Sequence, residues 1–287
     1  MIFTFYSYKG GVGRTMALAN IAEHLCMKGL DVLMIDWDVD SPGLGNYFPE
    51  ILDESQKSRG LLDMLLSYKD LVSMSPPPET AEQLPFEPVT NFIIDVYTSP
   101  KPKTSGRLRL LSCGKRDGIH FSEYIEKVKF FDWAEFYELW LGERYFEWFR
   151  REIENLAQII LIDTRSGVTE ISGICTYQLA DVVIAFMSSN KQSIQGTQEF
   201  VSHLMSDDIQ RLRPERSKLN VVVVPARVER SEIVQRYLFE QVVRDRFDKY
   251  VPQIWKGKGK SFWDLNIPYI PAYAFEELVA IREERER

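Results

Sequence analysis

The chain has 287 residues and a formal net charge of −7, which argues against a polycation that binds nucleic acid or an anionic membrane. Its hydrophobic content of 45% is ordinary for a globular protein, and no apolar run reaches the roughly 20 residues that a membrane helix needs. Three cysteines without paired spacing argue against a disulfide framework, and three histidines leave little scope for histidine-based metal chemistry. We expect a cytoplasmic protein without a signal peptide, because the first residues lead directly into a predicted strand.

The first predicted element is an apolar strand at residues 2–6, followed by the loop sequence YKGGVGRT at residues 8–15. A strand, a glycine-rich loop and a helix form the arrangement that points backbone N–H groups at a polyphosphate. The three glycines leave the backbone free to approach the anion closely, and Thr15 offers a hydroxyl group suited to Mg²⁺. Two features are unusual: Lys9 stands at the front of the loop, and Arg14 occupies the position at which such loops usually carry lysine.

The next elements alternate between helix and strand. Residues 16–28 carry apolar side chains at helical spacing, and residues 31–35 form a short apolar strand that leads into Asp36, Asp38 and Asp40. Further predicted elements are a helix at 60–68, an insertion at about 70–105 with a proline-rich surface segment, a strand at 108–112 and aromatic-rich helical segments across 121–156.

The second half of the chain contains four more apolar stretches that predict strands, at 158–162, 181–187, 219–224 and 267–270. Strands that are apolar throughout and alternate with helices indicate a parallel sheet covered on both faces. We therefore predict a single α/β domain over residues 1–287. It has three layers, with a mostly parallel twisted sheet between helices, and it carries the insertion at about 70–105.

Polar groups follow three of the predicted strands. The glycine-rich loop follows the first, Asp36 and Asp38 follow the second, and Asp163 with Gly167 follows a later one. Because open α/β sheets bind ligands outside the carboxyl ends of their strands, these groups are expected at one edge. A single strand that ends in Asp is common, and helix N-capping is the simplest alternative for Asp36 and Asp163. The joint placement therefore carries the prediction.

These residues resemble the MinD/ParA family of deviant-Walker ATPases, which belong to the SIMIBI class of P-loop NTPases. The family pattern Lys-Gly-Gly-x-Gly-Lys-Ser/Thr is matched by residues 9–15 except at Arg14. The Asp-x-Asp pattern is matched by residues 36–38, and the strand ending in Asp with a later glycine is matched by Asp163 and Gly167. The resemblance covers roughly residues 1–50 and 105–275. The loop also resembles a bacterial subgroup with arginine at this position, often found beside signalling or conflict modules.

The resemblance implies ATP and Mg²⁺ as cofactors and a homodimer in the nucleotide-bound state. Lys9 would be catalytic by reaching across the dimer interface to the partner's phosphates, and Asp38 would position the attacking water. The implied nucleotide-binding residues are Lys9, Gly10, Gly11, Val12, Gly13, Arg14, Thr15, Met16, Pro225 and Arg227. The implied Mg²⁺ residues are Thr15, Asp36 and Asp163. The implied switch residues are Asp38, Asp40, Thr164 and Gly167.

Three residues leave alternatives open. Arg14 keeps the positive charge of the usual lysine but is planar and larger, which would preserve nucleotide binding and slow hydrolysis. Pro225 stands where the family commonly reads adenine with asparagine, so Arg227 or the segment 268–273 is the alternative contact for the base. Asp40 is either a further group around the metal or a solvated side chain, and we favour the solvated side chain.

The implied function is a Mg-ATP-binding and hydrolysing dimeric switch that controls an unidentified protein partner in a bacterial signalling or defence system. One alternative is a nucleotide sensor with little turnover, which Arg14 and Pro225 favour. Another is a ParA-like DNA-associated partitioning ATPase, for which the cation–aromatic run at 255–263 is the only cue. The acidic net charge ranks nucleic acid lower, and the mixed-charge segment 276–287 does not predict membrane binding.

Overall fold

The structure is a computed structural model that describes residues 1–74, 86–97, 106–211, 213, 218–275 and 277–282. Within these residues, one sheet contains the strands β1 (Ile2–Ser7), β2 (Val32–Asp36), β3 (Ile93–Asp95), β4 (Leu108–Leu111), β5 (Ile159–Asp163), β6 (Val182–Met187) and β7 (Asn220–Pro225). The strand order is β3-β4-β2-β5-β1-β6-β7, and every pair except β3–β4 is parallel. The mostly parallel α/β sheet predicted from the sequence is confirmed.

Helices cover both faces of this sheet. The longer ones are α1 (Arg14–Met27), α3 (Leu61–Met74), α4 (Phe121–Phe130), α6 (Gly142–Leu156), α8 (Lys191–Leu204) and α10 (Ile233–Phe247). The shorter ones are α2 (Leu52–Lys57), α5 (Trp133–Leu139), α7 (Glu170–Gly173), α9 (Asp207–Arg211), α11 (Gln253–Lys256) and α12 (Ala272–Phe275). A π-helical turn at Ile174–Leu179 continues α7 towards β6. No helix in the described ranges is both long and apolar enough to span a bilayer.

The alternation of side chains along β2 shows why the sheet needs cover on both faces. Leu33 and Ile35 pack into the core beneath α3 and α6, whereas Val32 and Met34 pack into the core beneath α1. All four side chains are fully buried. A strand buried on both faces reads as a continuous apolar run, which is the pattern that the sequence shows.

Aromatic residues between β4 and β5 pack into the core on one face of the sheet. Phe136, Phe146 and Phe149 are fully buried, and the ring of Phe149 meets Trp37 edge-on at 5.7 Å. The prediction that this stretch packs on the sheet is therefore confirmed for these side chains. The three cysteines are free and buried, as expected for reduced thiols.

The predicted strand at 267–270 is wrong. Within the described residues it forms an isolated bridge between Val228 and Pro268 instead of a strand, supported by the Tyr269 N–H donating to the Val228 carbonyl at 3.0 Å. Pro268 and Pro271 lack N–H groups, so a regular ladder cannot form. The segment instead lies against the loop after β7, since the Ile267 N–H donates to the Pro225 carbonyl at 2.8 Å.

The predicted insertion at about 70–105 lies partly outside the described residues. Within the described part, α3 continues to Met74, and β3 joins the sheet as an antiparallel edge strand that the sequence analysis missed. Only three residues form β3, too few for an apolar alternation to be recognised. The boundaries of the insertion stay a prediction.

Candidate nucleotide site

The carboxyl ends of the parallel strands open into a cleft of about 850 Å³. Residues 10–17 line it on one side, and residues 267–270 line it on the other. The strand order places β1, which leads into the glycine-rich loop, between β5 and β6 at the centre of the sheet. The cleft thus occupies the edge at which open α/β sheets bind ligands.

The loop at the base of the cleft owes its shape to two left-handed glycines. Gly11 has φ 72° and Gly13 has φ 83°, a region that strains any residue with a side chain. Gly13 is also the N-cap of α1, and no side chain caps the helix N-terminus. The first turn carries no acidic residue, so its unpaired N–H groups face the cleft with a partial positive charge. This geometry suits a phosphate group.

Arg14 belongs to the lining of the cleft, but its side chain is largely buried against the carboxylates of the site. Its side chain is only 8% exposed, and each of its three nitrogen atoms donates to the protein. Nε donates to Asp163 at 2.6 Å, Nη1 to Ser7 at 3.0 Å and Nη2 to Asp38 at 3.3 Å. Burial pulls the pKa of Arg14 down, but Asp163 more than offsets this and the pKa is raised overall. With these contacts, the positive charge of Arg14 offsets negative charge on Asp163 and Asp38.

Asp163 also joins the loop to the centre of the sheet. The Thr15 hydroxyl donates to its second carboxylate oxygen at 2.5 Å, and Asp163 lies beside Asp36 in the β2–β5 register. The sequence prediction that these three residues meet at one edge agrees with this geometry. Their shared role in metal binding stays a prediction.

The residues present fit a hydrated Mg²⁺ better than a metal held by protein alone. Among the described residues, no group of three or more His, Cys, Asp or Glu is arranged to hold a metal. The buried Oδ1 atoms of Asp36 and Asp38 nevertheless have no hydrogen-bond partner there, which leaves acceptors free for metal-bound water. Mg²⁺ commonly combines one or two protein oxygens with water and substrate phosphates. Thr15 and Asp163 would supply these protein oxygens.

Asp36 is the most perturbed carboxyl group of the site. Burial raises its pKa to about 7, and the neighbouring charge of Asp163 adds to the effect. The Leu44 N–H donates to its Oδ2 at 3.1 Å, so the side chain also anchors the loop after β2. Because Asp36 lies behind the phosphate-binding loop, it influences the cleft through neighbouring residues and not by direct contact.

We expect the contribution of Asp36 to the free energy of unfolding of the metal- and nucleotide-free protein to decrease as the pH rises from about 4 to about 7. The folded state holds the Asp36 proton more tightly than the unfolded state, so the stability present at low pH is lost as this proton dissociates. Asp36→Asn removes this contribution and should lessen the decrease by an amount on the order of a few kcal/mol. Urea unfolding of both proteins across this pH range measures it, and parallel profiles would contradict the assignment.

The loop after β2 is held from two further sides. Arg165, in the loop after β5, donates to Asp40 at 2.7 Å in a partly exposed ion pair. Tyr124 of α4 donates to the Val39 carbonyl at 2.7 Å in the core. Asp40 therefore contacts a neighbouring loop, although its negative charge also acts on Asp38. Burial raises the pKa of Asp38 above its ordinary value against the opposing charge of Arg14.

Lys9 is separated from this network. It lies on a second cleft of about 420 Å³, which shares residues 10–12 with the first and is completed by residues of the loop after β6. No ion pair or side-chain hydrogen bond engages Lys9 within the described residues. Its ammonium group is thus the uncommitted cation of the loop, in contrast to Arg14.

Arg227 connects the two clefts. It has φ 53°, donates to the Gly11 carbonyl at 2.8 Å and stacks on the Tyr269 ring at 4.7 Å. Among the described residues, Pro225 is not part of the lining of either cleft, and its carbonyl accepts a hydrogen bond from the Ile267 N–H. The predicted contact of Pro225 with a nucleotide therefore gains no support, whereas the alternative contact through Arg227 and the segment 268–273 does.

The other predicted residues lie around these groups. Val12 and Met16 both line the first cleft. Thr164 is fully buried, and its N–H donates to the Phe5 carbonyl at 3.3 Å. Gly167 has φ 86° and donates its N–H to the Ser7 carbonyl at 3.0 Å, which ties the loop after β5 to the end of β1.

The sequence analysis missed one lining tyrosine and one supporting serine. Tyr47 lines the cleft from a 3-10 helical turn, and nothing in its local sequence distinguishes it. Tyr273 lies on the cleft within a segment that was already considered for base contact. Ser7 directly precedes the loop, and its place at the end of β1 was a usable signal for the contact with Arg14.

A glycine-rich loop after the central strand, an open helix N-terminus and acidic groups on two adjacent strands define the P-loop nucleotide-binding class. The sequence matches the CobQ/CobB/MinD/ParA nucleotide binding domain over residues 3–244. The chain therefore belongs to this family. A comparison with curated proteins gives no match.

Solved structures agree on the fold. A ParA family ATPase from Chlorobium tepidum TLS has a TM-score of 0.59 at 14% identity, covering 100% of this chain and 93% of that one. The septum site-determining protein MinD from Pyrococcus horikoshii OT3, complexed with Mg-ADP, has a TM-score of 0.57 at 16% identity, covering 100% and 89%. A plasmid partition protein from Borrelia burgdorferi has a TM-score of 0.55 at 18% identity, covering 85% and 86%.

Proposed function

We propose that this chain is an ATPase that binds Mg²⁺ and ATP and works as a nucleotide-dependent homodimeric switch on a protein partner. The proposal rests on the different contacts that the two cations of the loop make. Arg14 is committed to Asp163 and Asp38, whereas Lys9 has no partner among the described residues and borders the second cleft. A free cation beside a phosphate-binding loop is available to a second subunit.

Each group of the site has a defined task in this proposal. The backbone N–H groups of residues 10–15 would bind the phosphates, and Thr15 with Asp163 would hold Mg²⁺, which would neutralise developing charge on the phosphates. Asp38 orients the attacking water through its free Oδ1. The base lies between residues 267–270 and α1, beside the Arg227–Tyr269 stack. The Mg-ADP complex of the Pyrococcus MinD supports this choice of ligand.

Fewer observations support the proposed partner and the proposed cellular system. The likeness of the arginine-bearing loop to a bacterial subgroup favours a signalling or defence system, and we propose the cytoplasm as its location. Loops after β2 and β5 are joined by the Arg165–Asp40 ion pair, so a change at the phosphates would reach the surface at both loops together.

One second function has a specific observation in its favour. A nucleotide sensor with little turnover is supported by the Arg14–Asp38 contact, since an Asp38 carboxylate held by a guanidinium is a poorer base. DNA partitioning is less well supported, although the Borrelia neighbour is a plasmid partition protein. Phe262 and Trp263 of the cation–aromatic run are buried, so they are not free to stack on bases.

We expect the wild-type protein to dimerise with Mg²⁺ and a non-hydrolysable ATP analogue and to remain monomeric without nucleotide. Lys9→Ala should abolish the dimer and lower steady-state phosphate release by about 100-fold or more, because the transition-state charge is no longer neutralised across the interface. Nucleotide binding to the monomer should change by less than about tenfold, since the backbone cradle is intact. Sedimentation and a phosphate-release assay measure these quantities.

The control for this experiment is Lys191→Ala, which removes an exposed lysine at the start of α8 near the second cleft. It should leave dimerisation and phosphate release unchanged. A dimer that forms equally well without nucleotide, or equally well in Lys9→Ala, contradicts the switch. Phosphate release below the detection limit in a protein that still dimerises with nucleotide would favour the sensor.

A further inference from the structure

The segment at residues 277–282 forms part of the first cleft. Glu277 and Ala280 belong to the lining, together with Asn20 of α1. The match to the family model ends at residue 244, so this segment lies outside the part of the chain that the family model covers. We call residues 277–282 the C-terminal wall.

One arginine ties the C-terminal wall to three other parts of the chain. Nη1 of Arg282 donates to Glu50 at 2.5 Å. Its Nη2 donates to Glu23 of α1 at 3.0 Å and to the Tyr97 hydroxyl, which follows β3, at 2.6 Å. The guanidinium also lies 5.3 Å from the ring centroids of Phe48 and Tyr97. The wall is therefore joined to α1, to the loop after β2 and to the end of β3.

The central ion pair of this anchor is shielded from solvent. Glu23 is only 8% exposed, and Arg282 is 26% exposed. Tyr97 also donates to the Glu23 carboxylate, so this group has two donors. Hydrogen bonds between charged groups are stronger than neutral ones, and solvent screens this pair less than an open surface pair. Arg282 is thus a firm attachment point for the wall.

Neighbouring contacts carry the attachment from Arg282 to the cleft. The Ile281 N–H donates to Oδ1 of Asn20, which itself belongs to the lining, at 3.2 Å. Val279 is 4% exposed and belongs to the same core cluster as Ala22 of α1. Ala280 lies between these two contacts, so its place in the lining depends on them.

The chemistry of the wall suits a nucleoside and not a phosphate. Ala280 is apolar, and the negative charge of Glu277 would repel phosphate groups. Burial raises the pKa of Tyr47 to about 12, and the charges of Glu277 and Asp163 add to this effect. The Tyr47 hydroxyl, also on the cleft, therefore stays protonated at neutral pH. A carboxylate acceptor and a hydroxyl donor can pair with the hydroxyl and amino groups of a nucleoside.

We infer that the C-terminal wall is a nucleoside-binding element of the first cleft and that Arg282 is the positioning residue that holds it there. The inference rests on the nucleotide binding of the proposed function and adds a segment outside the family model to the site. Arg282 acts through the wall, because it is not part of the lining of either cleft in the described residues. A wall that the fold already holds in place loses less conformational freedom when the ligand binds, so it contributes affinity.

The test is Arg282→Met in the full-length protein, studied by calorimetric titration with Mg-ADP. The dissociation constant for ADP should rise by about tenfold or more, because the wall is no longer held against α1. The dissociation constant for Mg-pyrophosphate should stay within about twofold of the wild type, because this ligand occupies the loop and has no nucleoside. An equal loss of affinity for both ligands would overturn the inference, since the defect would then lie at the phosphate loop.

Arg59→Met is the matched control. Arg59 donates to Glu87 at 2.8 and 2.9 Å, and its guanidinium lies 4.5 Å from the Phe92 ring centroid. The variant therefore loses the same kinds of contact at a residue outside the described lining of both clefts. Its ADP affinity should stay within about twofold of the wild type. If it weakens ADP binding as much as Arg282→Met does, general destabilisation explains the loss and the inference fails.

Glu23→Gln is a milder second variant for the case that Arg282→Met does not fold. It removes the charge of the acceptor and should raise the dissociation constant for ADP by about fivefold. Wild-type ADP affinity in a folded Arg282→Met protein overturns the inference and leaves the proposed switch intact. If the wild-type protein itself does not bind ADP, the proposed function fails first.

Discussion

Replacing Arg14 with methionine is expected to destabilise the nucleotide-free protein by about 3–5 kcal/mol. The substitution removes the positive charge but leaves Asp163, which is only 2% exposed, without its 2.6 Å ion pair. It also leaves Asp38 and the Ser7 hydroxyl without their donors. A buried carboxylate that loses its partner retains the full penalty of its removal from water. Urea unfolding at neutral pH without metal measures the change.

Two further variants test whether the burial of the Arg14–Asp163 pair causes this loss of stability. Arg165→Met breaks the partly exposed pair with Asp40 and should cost less than about 1 kcal/mol, because solvent screens that pair. Arg14→Lys keeps the charge but cannot make all three hydrogen bonds of the guanidinium group. Its stability should therefore lie between those of the wild type and Arg14→Met. If Arg14→Met and Arg165→Met lose equal stability, Arg14 does not have the structural role assigned to it.

Asp38→Asn is expected to lower the rate of ATP hydrolysis by at least about 100-fold while nucleotide binding changes little. Asparagine keeps the shape of the side chain and its contact with Arg14, but it cannot accept a proton from the attacking water. The Oδ1 atoms of Asp36 and Asp38 are both buried acceptors without a partner in the described residues, and of the two residues only Asp38 lines the cleft. Single-turnover phosphate release measures the chemical step, and fluorescent-nucleotide titration measures binding.

Asp40→Asn is the control for this variant, because Asp40 lies two residues away but faces Arg165. Its effect on hydrolysis should stay within about threefold, as is usual for an exposed ion pair. Comparable losses in both variants would show that the loop after β2 needs its overall charge and not one particular carboxylate. Normal hydrolysis in Asp38→Asn would exclude Asp38 as the group that orients water.

The sequence was informative where function depends on local order along the chain. The loop at residues 8–15 follows a strand and opens a helix, and the positions of its glycines prescribe the left-handed backbone at Gly11 and Gly13. Asp36 and Asp163 end neighbouring parallel strands, so topology alone brings them together. The loop conformation and the common edge need no knowledge of distant packing, whereas the pairing of β2 with β5 is a contact between distant parts of the chain.

Other features depend on contacts that local sequence cannot specify. The inward turn of Arg14 is set by carboxylates that lie 24 and 149 residues further along the chain. Residues 267–270 have the composition of a strand, but two prolines and the exposed edge of β7 turn them into a bridged segment. Tyr47 reaches the cleft only because a 3-10 turn after β2 folds back over α1. Propensity is a weak guide to such tertiary arrangements.

The bond between Arg14 and Asp163 has a consequence for the order of folding. A nascent chain that has emerged only as far as α6 already contains the whole glycine-rich loop, yet it lacks β5 and the carboxylate that fixes the loop's arginine. Parallel sheets gain their long-range pairs late, because distant segments must first be brought together. Nucleotide competence should therefore arise only once residue 163 is in place, and tight nucleotide binding would report that the centre of the sheet has closed.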